Sequence, residues 1–236
     1  MRDSKESRQH TPTTSNRYRN TRRQDYLQRN LEPEPEWQLH QRWRQHGIQA
    51  EFISQPPVYT YPNRITPLDN IIQEGITHML KNGWIREIHD WHINPGHYSK
   101  LKCVKKASGK FRYTLACVEI NKYTAKRHFR TDDLRTLKDI LEPGMHMGLL
   151  DIQDAFYSKA MRLHHQHTRY FRFAIKTQVG IRAFEYTVTP QGWSSSPRAM
   201  HIMLREVKKA AHRLGILHAR ATDDIIICHQ QERTCG

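Results

Sequence analysis

Two adjacent carboxylates, Asp223 and Asp224, stand directly before the apolar run Ile225-Ile226-Ile227. A second apolar run also delivers a carboxylate at its end, Asp151, with Asp154 one turn further on. Aspartate is a poor strand residue and an unpaired buried charge is costly, so clustered strand-end carboxylates indicate a counter-ion. Their hard oxygen ligands suit Mg²⁺, which keeps coordination positions for substrate phosphates. These residues therefore predict a divalent-metal site for phosphoryl chemistry.

The charge balance favours a polyanionic partner. The 236 residues contain 38 Lys+Arg against 23 Asp+Glu, a formal charge of +15, and such an excess attracts nucleic acid or anionic membrane. No apolar run approaches the roughly 20 residues that cross a bilayer, and the Arg/Gln/Asn-rich N-terminus has no apolar signal segment. We expect an intracellular protein with a nucleic-acid partner and no membrane partner. A plain basic surface is the alternative.

Cysteines and histidines do not predict a zinc site. The four cysteines lack zinc-like pair spacing, and three of them fall inside predicted strands, which favours buried thiols. His164, His165 and His167 occupy a polar connection, where solvated side chains are the commoner explanation.

The composition divides the chain into an arm and a folded part. Residues 1–50 are rich in Arg, Gln, Asn, Ser and Thr, which predicts a basic, disordered arm. Within it, residues 37–46 fit either a short helix or a linker. Residues 51–236 are expected to form one folded domain.

The order of local signals in that domain predicts an α+β fold. Thr66 as N-cap, Pro67 at the first helical position and Gly83 as stop predict the first helix. The remaining elements are strands at 101–104 and 111–118 around a basic turn, a helix from Thr131 to Gly144, a strand ending at Asp151, strands at 170–175 and 184–188, a long helix from Pro197 to Gly215, and a final hairpin of 216–221 and 224–229 with the aspartates at its turn.

The strand-end carboxylates are suited to two-metal chemistry. Asp151, Asp223 and Asp224 are a ligand set for two metals roughly 3.5–4 Å apart in an in-line displacement. One metal would activate an attacking hydroxyl and the other would neutralise a leaving pyrophosphate. Taken separately, an Asp-Asp pair is a common turn signal and Asp154 a common cap. The motif Pro190-Gln191-Gly192 and the basic hairpin, taken together with them, favour the metal site.

These motifs, in this order, resemble the reverse transcriptases of retroviruses and retrotransposons, over roughly Pro67 to His229. The matching segments are Leu150 to Phe156 for the first palm motif, Pro190-Gln191-Gly192-Trp193 with Ser196-Pro197 for the second, Asp223-Asp224 for the third, Lys105-Lys106, Ser108 to Arg112 and Glu119 to Lys122 for the fingers, and Arg169 to Phe173 for the strand before the second motif. The resemblance implies an RNA-directed DNA polymerase with right-hand fingers and palm. Such an enzyme adds deoxynucleotides to a primer 3′-hydroxyl on an RNA or DNA template, and other retroelement-encoded domains are expected partners.

The resemblance also implies a role for each matched residue. Asp151, Asp223 and Asp224, with the backbone carbonyl of Ile152, would hold two Mg²⁺ ions, with Mn²⁺ as the alternative metal. The nucleotide would be bound by Lys105, Arg112, Asp154, Ala155, Phe156 and Gln191. In this scheme the two basic residues grip the triphosphate, and the Phe156 ring excludes a ribose 2′-hydroxyl. Lys106 is the alternative to Lys105, and core packing is the alternative for Phe156.

Several positions depart from the family pattern. Ala221 stands where the third motif usually begins with Tyr, and Ala116 and Val118 stand where the fingers commonly carry an ion pair. The chain ends soon after Asp224, so we expect the thumb to be missing. The alternative function is an inactive, truncated retroelement remnant that binds nucleic acid without polymerising. A two-metal nuclease is a third reading, against which Phe156 and Gln191 argue.

Overall fold

The computed structural model describes residues 35–129, 131, 141, 143–214, 216–221 and 224–230. In these ranges it contains five α-helices, which we number α1 Glu36–His46, α2 Asn70–Lys81, α3 Ile120–Tyr123, α4 Ser196–Met203 and α5 Arg205–Arg213. The strands are β1 Ile65–Pro67, β2 Ile85–Ile88, β3 Leu101–Lys105, β4 Phe111–Leu115, β5 Met145–Asp151, β6 Arg172–Thr177, β7 Gly180–Tyr186, β8 Leu217–Ala221 and β9 Asp224–Gln230.

The strands form three sheets. The largest has the order β1-β6-β7-β2, in which β1 runs parallel to β6 and the other neighbours are antiparallel. Strands β3 and β4 form a separate antiparallel hairpin, and the third sheet has the antiparallel order β5-β9-β8. Helices packed with mostly antiparallel sheets confirm the predicted α+β class.

The main hydrophobic core lies between the four-stranded sheet and the helices. Strands β6 and β7 carry stacked, fully buried rings, Phe173 and Phe184, with centroids 5.2 Å apart. Helix α2 contributes Ile72, Ile76 and Met79, whose helical spacing in the sequence gives one apolar stripe. The core therefore holds the four-stranded sheet and α2 together, whereas Asp151 and Asp224 lie on the separate β5-β9-β8 sheet.

The start of α2 differs from the sequence prediction. Thr66 and Pro67 belong to β1, and the N-cap is Asp69, whose carboxylate accepts a hydrogen bond of 2.7 Å from the Ile72 N–H. The Thr66 hydroxyl instead accepts from the Leu101 N–H at 2.9 Å. The prediction of Thr66 as cap was wrong because pairing with β6 holds this segment extended. Aspartate is an equally good cap three residues later.

One predicted helix ends where its sequence indicates, and another is divided into two. At the end of α2, Gly83 has φ 70° and its N–H donates to the Leu80 carbonyl, so the predicted stop is confirmed. The predicted long helix from Pro197 is instead two helices that meet at Leu204. Helix α4 has six buried residues, whereas α5 has none, so the helix divides where its buried contacts end.

Residues 36–46 form α1, the helical alternative for this segment. Leu39 and Trp43 are buried in the main core, and α1 packs against α4. The predicted arm before residue 35, and most of the predicted helix from Thr131 to Gly144, lie outside the described residues. The domain boundary at residue 50 stays a prediction.

Two further expectations concern thiols and membranes. Cys117 and Cys228 are buried free thiols, as predicted, and Cys103 is a half-buried free thiol. Among the described helices, none is both long and apolar enough to cross a bilayer.

His167 is a structural histidine rather than a solvated one. Its Nδ1 accepts a 2.7 Å hydrogen bond from the Ala50 N–H, and its ring lies beside Phe52. Burial, with smaller contributions from His164 and His165, lowers the pKa of His167 to about 4 from 6.5. The fold is therefore stabilised by the neutral imidazole of His167, in which Nδ1 carries no proton and accepts the hydrogen bond.

This histidine predicts an acid-sensitive contribution to stability. The unfolded state takes up a proton near pH 6.5 and the folded state only near pH 4, so stability should fall as the pH drops through that window and then level off. Urea unfolding across the window should show His167→Gln with a shallower loss than the unmodified protein. His165→Gln, at an exposed neighbour, is the control. An unchanged slope in His167→Gln would contradict the assignment.

Candidate active site

The two described carboxylates of the metal-site hypothesis face each other across β5 and β9. Asp151 is the last residue of β5, Asp224 is the first of β9, and the two are directly paired in the antiparallel register. Paired residues project from the same face of a sheet, with Cα atoms about 4.5–5.5 Å apart. Both side chains are exposed. Asp223 lies outside the described residues.

This arrangement leaves the negative charges of Asp151 and Asp224 unbalanced. Like charges directly opposite each other destabilise a sheet, and neither carboxylate has an ion pair within the described part of the chain. Two exposed carboxylates at the paired ends of two strands are a donor set that fits a hard divalent cation. The described residues alone contain no cluster of three metal-ligating side chains. Ile152, whose carbonyl is a predicted ligand, is half-buried next to Asp151.

The turn after β5 has an unusual backbone conformation. Asp154 has φ 49° and ψ 38°, the left-handed region that non-glycine residues seldom adopt, and it precedes the short 3₁₀ helix Ala155–Tyr157. Ala155 is buried, and Phe156 is half-buried and packs against the main core. Phe156 therefore packs against the core, and part of its ring is still exposed. Strain of this kind persists where surrounding contacts hold it, as they do here.

Tyr157 ties this turn to the basic hairpin. Its hydroxyl donates a 2.9 Å hydrogen bond to the Tyr113 carbonyl of β4, and its ring stacks on Trp84. Burial raises the pKa of the Tyr157 hydroxyl, the Asp154 carboxylate raises it further, and the Arg112 guanidinium opposes the rise. The charges of Asp154 and of Arg112, one of the predicted triphosphate ligands, therefore both influence the Tyr157 hydroxyl.

Lys105 and Arg112 are exposed but point to opposite faces of the hairpin. In the β3–β4 register, Lys105 pairs with Phe111 and Val104 pairs with Arg112. Because faces alternate along a strand, the structure does not bring the two predicted triphosphate ligands together on one side. Lys106, the alternative, lies in the turn, where its N–H donates to the Lys110 carbonyl.

The loop of Pro190, Gln191 and Gly192 packs directly against the hairpin. The Gln191 carbonyl accepts a 2.9 Å hydrogen bond from the Leu115 N–H. Gly192 has φ 115°, and a Cβ there would lie 2.0 Å from the Leu115 carbonyl oxygen. Only glycine permits this approach.

Two polar side chains, Gln191 within this loop and Asn121 beside it, differ in their hydrogen bonding. The side-chain oxygen Oε1 of Gln191 is buried and has no hydrogen-bond donor within the described residues, which leaves an acceptor for an incoming group. Asn121 holds the loop from the other side: its Nδ2 donates to the Gly192 carbonyl and its Oδ1 accepts from the Ser194 N–H, at 3.0 and 2.9 Å.

Sequence reasoning missed the positioning roles of Asn121 and Tyr157. Both lie inside or next to matched motifs, yet their contacts join segments far apart in the chain, and no local periodicity reports such contacts. The signal that existed was chemical, because an amide or hydroxyl in an otherwise apolar setting needs a specific partner.

A comparison against known families is consistent with the mixed fold. Residues 104–235 match the family model described as "Reverse transcriptase (RNA-dependent DNA polymerase)". The match covers more than half of the chain, so the protein belongs to the reverse transcriptase family. Nucleic-acid templates, primers and nucleotides are the general partners of such a domain.

A viral relative supports the same assignment. The chain is 28% identical over 114 residues to the Pol polyprotein of caprine arthritis encephalitis virus (strain Cork). The match covers 44% of this chain and 10% of the polyprotein, so the chain spans only a small part of that relative.

The contact between the loop and the hairpin predicts that Gly192→Ala is severely destabilising. It introduces both a disfavoured φ and an overlap with backbone, so we expect a loss of more than about 2 kcal/mol in unfolding free energy, measured by urea denaturation. Gly180→Ala is the matched control, because Gly180 has φ 135° but open space around it. Equal losses in the two variants would show that the Leu115 contact contributes nothing.

Proposed function

We propose that the protein is an RNA-directed DNA polymerase that transfers deoxynucleotides to a primer 3′-hydroxyl under the direction of an RNA or DNA template. The observation that carries the proposal is the direct pairing of Asp151 with Asp224 at the ends of β5 and β9, in a chain of the reverse transcriptase family. In this proposal the β5-β9-β8 sheet belongs to the palm and the β3–β4 hairpin to the fingers.

The proposed reaction uses two Mg²⁺ ions, with Mn²⁺ as an alternative, held by Asp151, Asp224, Asp223 and the Ile152 carbonyl. Such ions lower the pKa of the primer hydroxyl and neutralise charge on the pyrophosphate. The support from the structure is the unbalanced carboxylate pair, whose repulsion a divalent cation would remove.

The nucleotide is proposed to lie between the carboxylate turn and the hairpin. In this proposal Arg112, whose charge influences the Tyr157 hydroxyl, would bind phosphate oxygens in bidentate fashion. Gln191 offers a buried acceptor, and the buried Ala155 would line the same pocket. Lys105, on the other face of the hairpin, would need the hairpin to move in order to reach the same phosphates.

Asp224→Asn should abolish incorporation. The change keeps the shape but removes one of two facing charges, so primer extension on a primed RNA template with Mg²⁺ should fall on the order of 10³-fold, the equivalent of several kcal/mol. Asp90→Asn, at an exposed loop carboxylate, is the control. Equal extension by Asp224→Asn and the unmodified chain would contradict the proposal. Template binding without extension by the unmodified chain would instead support the inactive-remnant alternative.

Phe156→Val should relax sugar selection. A smaller side chain leaves room for a ribose 2′-hydroxyl, so use of ribonucleotides relative to deoxynucleotides should rise roughly 10–100-fold in single-nucleotide extension assays. Phe52→Val is the matched control, because Phe52 is also a half-buried ring packed against the main core. A ratio unchanged in Phe156→Val would favour the core-packing role alone.

A further inference from the structure

A basic cavity lies between α1 and the segment that follows the candidate active site. It has a volume of about 400 Å³ and is lined by His40, Trp43, Arg44, Lys159, Ala160, Arg162, Met203 and Glu206. It shares no residue with the candidate polymerase site, and α1 lies outside the part of the chain matched by the family model. The family match therefore does not account for the α1 side of the cavity, although Lys159, Arg162 and Glu206 lie within the matched part.

The three cations of this cavity lack counter-ions. Arg44, Lys159 and Arg162 are exposed, and none of them forms an ion pair with any described residue. The one acid of the lining, Glu206, is held by Lys209 at 2.9 Å. Converging positive charges repel one another, so an anion would stabilise the cavity.

The lining is held in place rather than loosely arranged. The Arg162 Nη2 donates a 2.6 Å hydrogen bond to the Gln45 carbonyl at the end of α1, and the Ile48 N–H donates to the Arg162 carbonyl. Trp43 is only 3% exposed, and its indole Nε1–H has no acceptor among the described residues. The cavity thus combines one anchored cation, Arg162, with a buried donor that has no acceptor among the described residues.

The cavity continues into a groove along α1. The neighbouring cavity of about 370 Å³ shares His40, Arg44 and Glu206 and adds Trp37, Gln41 and Lys209. Trp37 is 48% exposed. An exposed aromatic ring next to a line of cations is the arrangement that binds nucleic-acid strands, because the cations contact phosphates while the ring stacks on a base. An acidic peptide would use the cations but not the ring.

We propose that this groove, which we call the α1 groove, is a second nucleic-acid contact, with a backbone phosphate in the cavity of Arg44, Lys159 and Arg162 and a base on Trp37. The α1 groove would hold a strand of the substrate away from the reacting nucleotide. This proposal rests on the proposed function in one respect, that the phosphate belongs to a polynucleotide.

The test removes two cations at exposed positions and measures binding rather than polymerisation. The Asp224→Asn chain serves as background, so a failure of polymerase activity does not affect the readout. In that background, Arg44→Gln/Lys159→Gln is compared with Lys81→Gln/Lys176→Gln, which removes the same charge at exposed sites elsewhere. Fluorescence anisotropy with a labelled single-stranded RNA is recorded over a salt titration.

The first pair should weaken RNA binding about tenfold and lower the slope of log affinity against log salt by one to two, as expected for lost phosphate contacts. The second pair should leave the slope unchanged. Equal effects of the two pairs would overturn the proposal. The proposal would also be overturned if Arg44→Gln/Lys159→Gln weakened the binding of inorganic phosphate or of polyglutamate but not of RNA. The cavity would then bind a free anion or an acidic protein.

Lysine footprinting tests the position directly. Bound RNA should protect Lys159 from acetylation severalfold while Lys81 on α2 stays reactive, as measured by mass spectrometry. Lys159 acetylated equally with and without saturating RNA would overturn the proposal whatever the anisotropy shows.

Discussion

The arrangement of the candidate site depends on one electrostatic constraint, the direct pairing of Asp151 with Asp224. Register fixes it, because β5 and β9 pair residue by residue from Met145 to Asp151 and end with the two acids opposite each other. A shift of one residue would turn one carboxylate to the other face of the sheet. The fold therefore keeps two repelling carboxylates side by side at exposed strand ends, which is costly unless a cation binds there.

The surrounding contacts keep the hairpin and the loop next to that pair. Gly192 lets the loop approach the Leu115 carbonyl, and the Tyr157 hydroxyl joins the turn after β5 to the Tyr113 carbonyl. Both contacts end on β4, so the hairpin that carries Arg112 is anchored at two points. A nucleotide-binding role for the space between the loop and the turn, with Arg112 as a phosphate ligand, belongs to the proposed function.

The sequence was sufficient wherever local chemistry decides. The apolar stripe of α2, its stop at Gly83 and the hairpin whose second strand begins at Asp224 all follow from residue type and spacing. It failed where distant segments compete for the same residues. Thr66 has cap chemistry, yet it pairs with β6, and the helix after Pro197 divides at Leu204 where buried contacts cease. The α1 groove could not have been predicted, since Arg44 and Lys159 meet only after α1 packs on α4.

The central claim is that Asp151 and Asp224 together bind the divalent cation. Its most direct test is paramagnetic broadening of backbone amide NMR signals on titration with Mn²⁺. The account predicts that broadening begins at Leu150 and Ile225, the neighbours of the two acids, and disappears in the double variant Asp151→Asn/Asp224→Asn. Broadening that begins elsewhere, for example around Glu87 and Asp90, or that persists at Leu150 in the double variant, would contradict it.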